Sequence, residues 1–480
     1  MRKSTFIKKF QIFMNLIALI VLIPTILFAQ NRKVREVDQL FEKWDTPDYP
    51  GCAGAVMKDA EIVYKKCFGY ANLEYDIPIT TSTVFHAASV SKQFTAFAIA
   101  LLAKENKLSL DDDISKYLPE LPDFGKAITI RHLIHHTSGL REQYTLLKIS
   151  GVEVVDWISN EHILKLVKLQ KELNFNPGDE IVYCNAGYTL LAEIVERITG
   201  QTFNEFTYER IFKPLGMVHS HFYDDLQMIV KNKAYPYIMD ADENFYKGIL
   251  NYTTVGATGL ITTIDDMTTW IKNFSQYNVG DSSIIEQMFT SGLLNNGEET
   301  TYGFGLGITE YKGLKYVLHS GHDAGYRSYV GYFPDQKFGV VILSNIGSIN
   351  GMELGRQIAD IYLKDQFVQS ESESTEPDTD KEKDNSKKSF QSEKKQLWEF
   401  SGRFCSEELE TTYRIIVRDG QLVATHIRNE DVILTPVEKD QFSGDQWWFK
   451  NVSYLRNEKD ETIGFRLTAG RVRNLLFSRM

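Results

Sequence analysis

The sequence predicts a large α+β domain, an antiparallel sheet flanked by helices, followed by a small C-terminal all-β barrel. Three observations carry this. β-like runs come as hairpin partners at the two ends of residues 30–366, "GCAGAVMK" and "EIVYKKCFGYA" early, "KYVLHS", "SYVGYFP" and "GVVILSN" late, with helical runs such as "FTAFAIALLAKEN" between them. Residues 367–396 hold almost nothing that could be buried, so the entropy of ordering them goes unopposed and they read as a charged flexible linker. From residue 397 to 480 there follow many short strands, an Asp419-Gly420 hairpin turn and no clear helix.

The chain has 480 residues, 43% hydrophobic and 24% charged, the composition of a globular protein with room for more than one domain. Its first 29 residues carry Arg2, Lys3, Lys8 and Lys9 and no acid, then an apolar run and a small residue at Ala29, the pattern of an export signal. A cleaved signal implies a periplasmic or secreted protein; the membrane enters only if the segment stays attached. The formal charge of −11 becomes −15 without that segment, which excludes nucleic acid as an expected partner. No His/Cys cluster has metal-ligand spacing and no Gly-rich phosphate loop follows a strand, so no metal and no cofactor are expected.

Of the four cysteines, Cys52 and Cys67 flank the turn Asp59-Ala60. A symmetric hairpin sets them directly opposite each other, within disulfide range, and an exported protein could oxidise them. Two small buried apolar residues explain the same pattern, and both readings stand.

The chemistry is concentrated in three short stretches. In "FHAASVSKQF" Ser89 and Lys92 stand three apart where an apolar helix begins, one turn apart on one face if the helix starts at Ser89. A serine hydroxyl needs a base, a buried lysine shifted toward neutrality can supply one, and an N–H at a helix start can bind an oxyanion. The spacing alone is weak: Ser392 and Lys395 repeat it in the linker, and a helix N-cap with a solvated lysine would account for it. In "VYCNAGYTLL" Tyr183 and Asn185, two apart in an extended segment, turn a hydroxyl and an amide the same way. In "KYVLHSGHDAGYRS" a strand ends in His319-Ser320-Gly321; Gly321 permits close approach by a substrate along the strand edge, and the N–H of His322 is the second oxyanion donor expected. A structural histidine at a strand end is the bland alternative. "HTSGL", residues 136–140, reads as a structural turn near the cleft rather than a second Ser/His site.

Together, and in this order, these stretches resemble the serine β-lactamase and penicillin-binding protein superfamily, specifically the class C β-lactamase-like group with its D-peptidases and family VIII-type esterases. The flanks "ITIRHLIHHTSGL", "NPGDEIVYCNAGYTLL", "IFKPLGM", "GLITTIDDMTTW" and "YGFGLG" are similar as well, so the likeness covers roughly residues 35–365. It implies a β-lactamase/transpeptidase-like fold with an all-helical subdomain, Ser89 as acylated nucleophile, Lys92 as its proton acceptor, Tyr183 as general base or acid, and Asn185 as the residue orienting Lys92 and the substrate amide. His319 stands where the lactamases have the Lys of a Lys-Thr-Gly triplet, which turns the expectation from β-lactams toward D-amino-acid peptides, amides and esters. Cys184 replaces the commoner Ser of the Tyr-Ser-Asn triplet and reads as packing. The partner implied is a small-molecule or peptide substrate, peptidoglycan fragments among the candidates. A sensor or binding protein that acylates without efficient turnover is the alternative. The last domain, through "FSGRF", "DGQL", "ILTPVEKDQF" and "GFRL", is similar to the lipocalin-like barrels appended to some enzymes of this group, with roles in capping the active site, in assembly or in ligand binding all open.

Overall fold

The structure is a computed structural model that describes residues 30–153, 155–368 and 397–480. The export signal expected over 1–29 and all but the first two residues of the expected linker lie outside the described residues.

Six strands form the central sheet: β1 (Cys52–Lys58), β2 (Glu61–Phe68), β3 (Gly307–Tyr311), β4 (Leu314–Asp323), β5 (Tyr326–Phe333) and β6 (Phe338–Ser344). They lie in the order β3-β4-β5-β6-β1-β2, every pair antiparallel, so the two ends of the segment meet at the β6–β1 pair. The run "FGVVILS" is continuous because β6 is buried on both faces: Val340 and Ile342 enter one core cluster, Val341 and Leu343 the other. One face is covered by a helix over residues 30–41, α1, through Val37 and Phe41, and by the helix Gly351–Leu363. On the opposite face the helix Ile264–Gln276 packs against β1 and β6, and among the helices behind it α2 (Lys92–Lys104) is buried on all sides from Lys92 to Leu102, which is why its sequence is nearly all apolar. Beyond it stands a helical region that includes α3 (Gln143–Ile149) and α4 (Asn185–Thr199).

The symmetric hairpin expected between Cys52 and Cys67 is not what forms. Asp59 and Ala60 do make the two-residue turn, both with positive φ, and Lys58 opposes Glu61. A β-bulge then intervenes: Val56 opposes Tyr64, leaving Val63 as the extra residue, and Cys52 ends opposite Phe68 while Cys67 opposes Ala53. A one-residue slip sends a side chain to the other face, so Cys52 joins the cluster of Phe41 and Tyr64 while Cys67 packs on the α2 side. All four cysteines are free thiols.

Residues 402–479 close into an eight-stranded barrel, each strand paired with its sequence neighbour and the first with the last. Its interior is filled by aromatic rings, among them Phe404, Tyr413, Trp448, Phe449, Phe465 and Phe477. The core also takes in Leu146 and Ile149 of α3, so one short helix of the large domain reaches into the barrel. Charged pairs ring this junction: Arg473 with Glu180, Arg466 with Glu172 and Arg428 with Asp156. At its centre Arg141 and Glu408, both buried, form an ion pair.

Candidate active site

Ser89 does not begin the α-helix. It sits in a 3-10 turn, Ala88–Ser91, and α2 starts at Lys92. The turn is held in an unusual shape, with Ala88 at φ 46, a left-handed conformation that a residue with a side chain adopts only when its surroundings enforce it. Ser91 supplies part of that enforcement: its hydroxyl donates to the Ala88 carbonyl at 2.6 Å and accepts from the Leu260 N–H at 3.0 Å. Strand β4 supplies more. A Cβ at Gly321 would stand 2.4 Å from the Ala87 carbonyl oxygen and 3.0 Å from the Ala88 Cβ. Gly321, expected to admit substrate, therefore admits the turn that carries Ser89.

Lys92 is fully buried and its Nζ has three polar neighbours: Asn185 Oδ1 at 2.8 Å, the Ala257 carbonyl at 2.7 Å and Ser89 Oγ at 3.1 Å. The Ala257 carbonyl reaches it because Gly256, at φ 93, lets the chain pass against helix α4; a Cβ there would meet the Tyr188 carbonyl at 2.4 Å. Burial, and after it the positive charge of Arg471, push the Lys92 amine well below the ordinary lysine range, against the opposing pull of Glu142 and Asp323.

Tyr183 and Asn185 both face the cleft, but they are not two residues of one strand. Cys184 is the extended N-cap and Asn185 opens α4. The Asn185 amide bridges Lys92 and Glu142: its Oδ1 accepts from Lys92 and its Nδ2 donates to Glu142 Oε1 at 2.8 Å, which fixes its orientation. Glu142, itself buried, caps α3 by accepting from the Thr145 N–H at 2.8 Å and hydroxyl at 3.1 Å. The Tyr183 ring lies 4.9 Å from Lys92 Nζ, and its hydroxyl is buried without a hydrogen-bond partner among the described residues. Burial raises its pKa and the neighbouring Ser89 hydroxyl draws it back. His136, in the "HTSGL" turn, accepts from the Cys184 N–H at 3.1 Å and packs its ring 4.2 Å from that of Tyr183, so this stretch positions the tyrosine. Cys184 turns away into the core, its Sγ 3.7 Å from the Arg141 carbonyl.

His319 is buried and neutral. Burial, then the charge of Lys92, lowers it to about 3. Its Nδ1 donates to the Ser320 carbonyl at 2.7 Å, so Nε2 accepts the Tyr302 hydroxyl at 2.8 Å. Strand β3 pairs with β4 only as far as Leu318, so the stretch from His319 to Asp323 has an unpaired outer edge. That edge, with Ser89, Tyr183, Asn185, Tyr144, Tyr252 and Arg471, bounds a cleft of about 500 Å³. Asp323 on its rim is held by His86 Nε2 at 2.9 Å. Among the described residues no group of three or more His, Cys, Asp or Glu could hold a metal ion.

Glu142, Tyr302 and Arg471 were not singled out in the sequence. Glu142 had one faint signal, an acid just before the apolar run "YTLLKI"; Arg471, at a hairpin tip in another domain, had none.

A family model described as Beta-lactamase matches residues 37–362. The chain belongs to the beta-lactamase family. It is 29% identical over 301 residues to a D-aminopeptidase of Gluconobacter oxydans strain 621H, a match covering 62% of this chain and 56% of that protein. The chain thus spans about half the length of the curated D-aminopeptidases it matches. To a penicillin-binding protein of Bacillus subtilis strain 168 it is 32% identical over 341 residues, 66% of this chain and 72% of the other. Among solved structures, the octameric penicillin-binding protein homologue from Pyrococcus abyssi superposes with a TM-score of 0.59 at 25% identity, covering 89% of this chain and 96% of that one.

Proposed function

We propose that this chain is an exported serine hydrolase that cleaves amide or ester bonds through a covalent Ser89 acyl-enzyme, with acyl groups of D-amino acids as its substrate class. One observation carries the reading. Two carbonyl oxygens, of Asn185 and Ala257, take two N–H bonds of Lys92, and burial disfavours a third proton, so the lone pair of the neutral amine is left facing Ser89 Oγ at 3.1 Å.

Ser89 Oγ attacks the substrate carbonyl carbon while its proton passes to Lys92 Nζ. The oxyanion is received by the N–H groups of Ser89 and His322, with the acyl chain along the open edge of β4. Collapse expels the amine or alcohol, which leaves with a proton passed on from Lys92 through the unpartnered Tyr183 hydroxyl. Water, deprotonated along the same route, then cleaves the Ser89 ester and regenerates the hydroxyl. Asn185 holds Lys92 in place throughout. The D-amino-acid class is supported by the D-aminopeptidase relatives, and neutral His319 supplies no fixed charge at the position where the lactamases carry the Lys of their Lys-Thr-Gly triplet. Export rests on the pattern of residues 1–29, and peptidoglycan fragments are the natural D-amino-acid source in that compartment.

Intact mass and peptide mapping after brief incubation with a D-alanyl thioester, an activated short-chain ester and a penicillin test this. An adduct on Ser89, absent in Ser89→Ala, is expected with the first two. Unchanged kcat in Ser89→Ala would overturn it.

A further inference from the structure

The cleft is completed by the other domain. The last barrel hairpin pairs Ala469 with Val472, and its two-residue tip, Gly470-Arg471, reaches the large domain. Gly470 stands so close to α3 that a Cβ there would lie 3.2 Å from Thr145 Oγ1. Asn174 grips the tip from the large-domain side, donating from Nδ2 to the Arg471 carbonyl at 3.0 Å and accepting at Oδ1 from the Arg473 N–H at 2.8 Å. The backbone of Arg471 is thereby fixed, and its side chain lines the same cleft as Ser89.

That side chain has a long ion pair and a ring beneath it, but makes no hydrogen bond among the described residues. Its guanidinium carbon lies 5.2 Å over the Tyr183 ring, and its nearest carboxylate oxygen, Glu142 Oε1, is 3.7 Å away, too far for a hydrogen bond. Glu142 already spends its oxygens on Asn185 and Thr145. Among the described residues no hydrogen bond takes an Arg471 side-chain N–H, and the side chain is 39% exposed. The other nitrogen bases of the cleft are poor anion receptors: Lys92 is buried and shifted toward neutrality, His319 is neutral, and burial also lowers His322. An arginine keeps its charge at any working pH and offers a planar fork that fits a carboxylate.

We infer that Arg471, delivered by the barrel, is the receptor for a carboxylate on the substrate, so that the chain prefers D-aminoacyl peptides and esters with a free carboxylate beside the scissile bond. The inference rests on the acyl-enzyme reading, and places the specificity-determining charge in the C-terminal domain, opposite the strand where His319 leaves it missing.

A matched substrate pair tests it on the full chain: benzoyl-D-alanyl thioglycolate, which carries a carboxylate on its leaving group, and its neutral methyl ester. The wild-type chain is expected to show kcat/KM about ten- to a hundredfold higher for the acid, the range of one charge-assisted hydrogen-bonding site. In Arg471→Ala that ratio should collapse toward one, and in Arg471→Lys it should recover in part. If Arg471→Ala lowers both substrates by the same factor, or neither, the ratio staying as in wild type, Arg471 is not a carboxylate receptor and the inference falls while the acyl-enzyme reading stands. Absence of any Ser89 adduct with either thioester in the wild type would overturn both together.

Discussion

On the proposed acyl-enzyme reading, one buried residue, Lys92, sets the pH behaviour of this cleft. Only the neutral amine can take the Ser89 proton, and its folded pKa lies below the ordinary 10.5, so the base form persists to lower pH than in free lysine. Activity is expected to fall as pH drops through that folded value. Glu142 raises the Lys92 pKa, so Glu142→Gln, which can still accept from Asn185, should move the acid limb of the kcat/KM profile to lower pH; a move to higher pH would contradict the arrangement. Lys92→Ala should cost on the order of 10² to 10⁴ in rate. His319 works on stability instead. The unfolded chain binds its proton below about 6.5, the folded chain only near 3, so protonation favours unfolding across that window and the neutral state is stabilising above it. Between pH 7 and 5.5 this one group removes about 1 kcal/mol. His319→Gln should show a shallower fall of Tm over that interval, with His135 and His136, also lowered by burial, keeping the remainder. An unaltered slope would place His319 in contact with solvent.

At the scale of elements, the outcome of the first hairpin depends on one inserted residue. Ellman titration of the denatured, unreduced protein should count four free thiols per chain, and two would mean that the bulge at Val63 is absent. The hairpin's turn was legible in the sequence because Asp59-Ala60 separates two apolar runs, whereas the bulge was not, because "EIVYKKCF" alternates equally well in either register. The same division runs through the cleft. Ser89, Lys92, Tyr183 and Asn185 were reached from local spacing taken together with the order of the motifs and the family resemblance, and the structure brings the four to one cleft. Glu142, 43 residues from the amide it holds, and the Ala257 carbonyl, 165 from Lys92, are brought in by tertiary packing that leaves no local trace. Even where spacing pointed to residues that the cleft brings together, it misplaced the backbone: the α-helix starts three residues after Ser89 because Ser91 and Gly321 hold a 3-10 turn there.

At the scale of the whole molecule, α3 couples the two domains, because both share it. Its N-cap, Glu142, supports Asn185 and through it Lys92, while its Leu146 and Ile149 are part of the barrel core. The barrel was legible as a closed all-β unit from its short strands and turns, but not its docking, which depends on side chains such as Arg141 that look like ordinary surface charges in sequence. Arg141 is fully buried, pairs with Glu408 and donates to the Arg473 carbonyl at 3.2 Å, so its nearest counter-charge is present only while the barrel is seated, Glu172 of its own domain standing 3.9 Å away. Removing one partner of a buried pair leaves the other uncompensated, at about 3–5 kcal/mol, whereas an exposed pair is worth about 0–1 kcal/mol. Glu408→Ala should therefore lower the urea midpoint far more than Glu407→Ala, which breaks only the exposed pair with Lys171. The same Glu408→Ala chain should lose kcat/KM on the neutral thioester under native conditions, since unseating the barrel frees α3 and with it Glu142. Equal midpoints for the two variants would mean that the junction is held by its apolar contacts alone. A destabilised Glu408→Ala chain with wild-type kcat/KM would mean that Lys92 is positioned independently of the barrel.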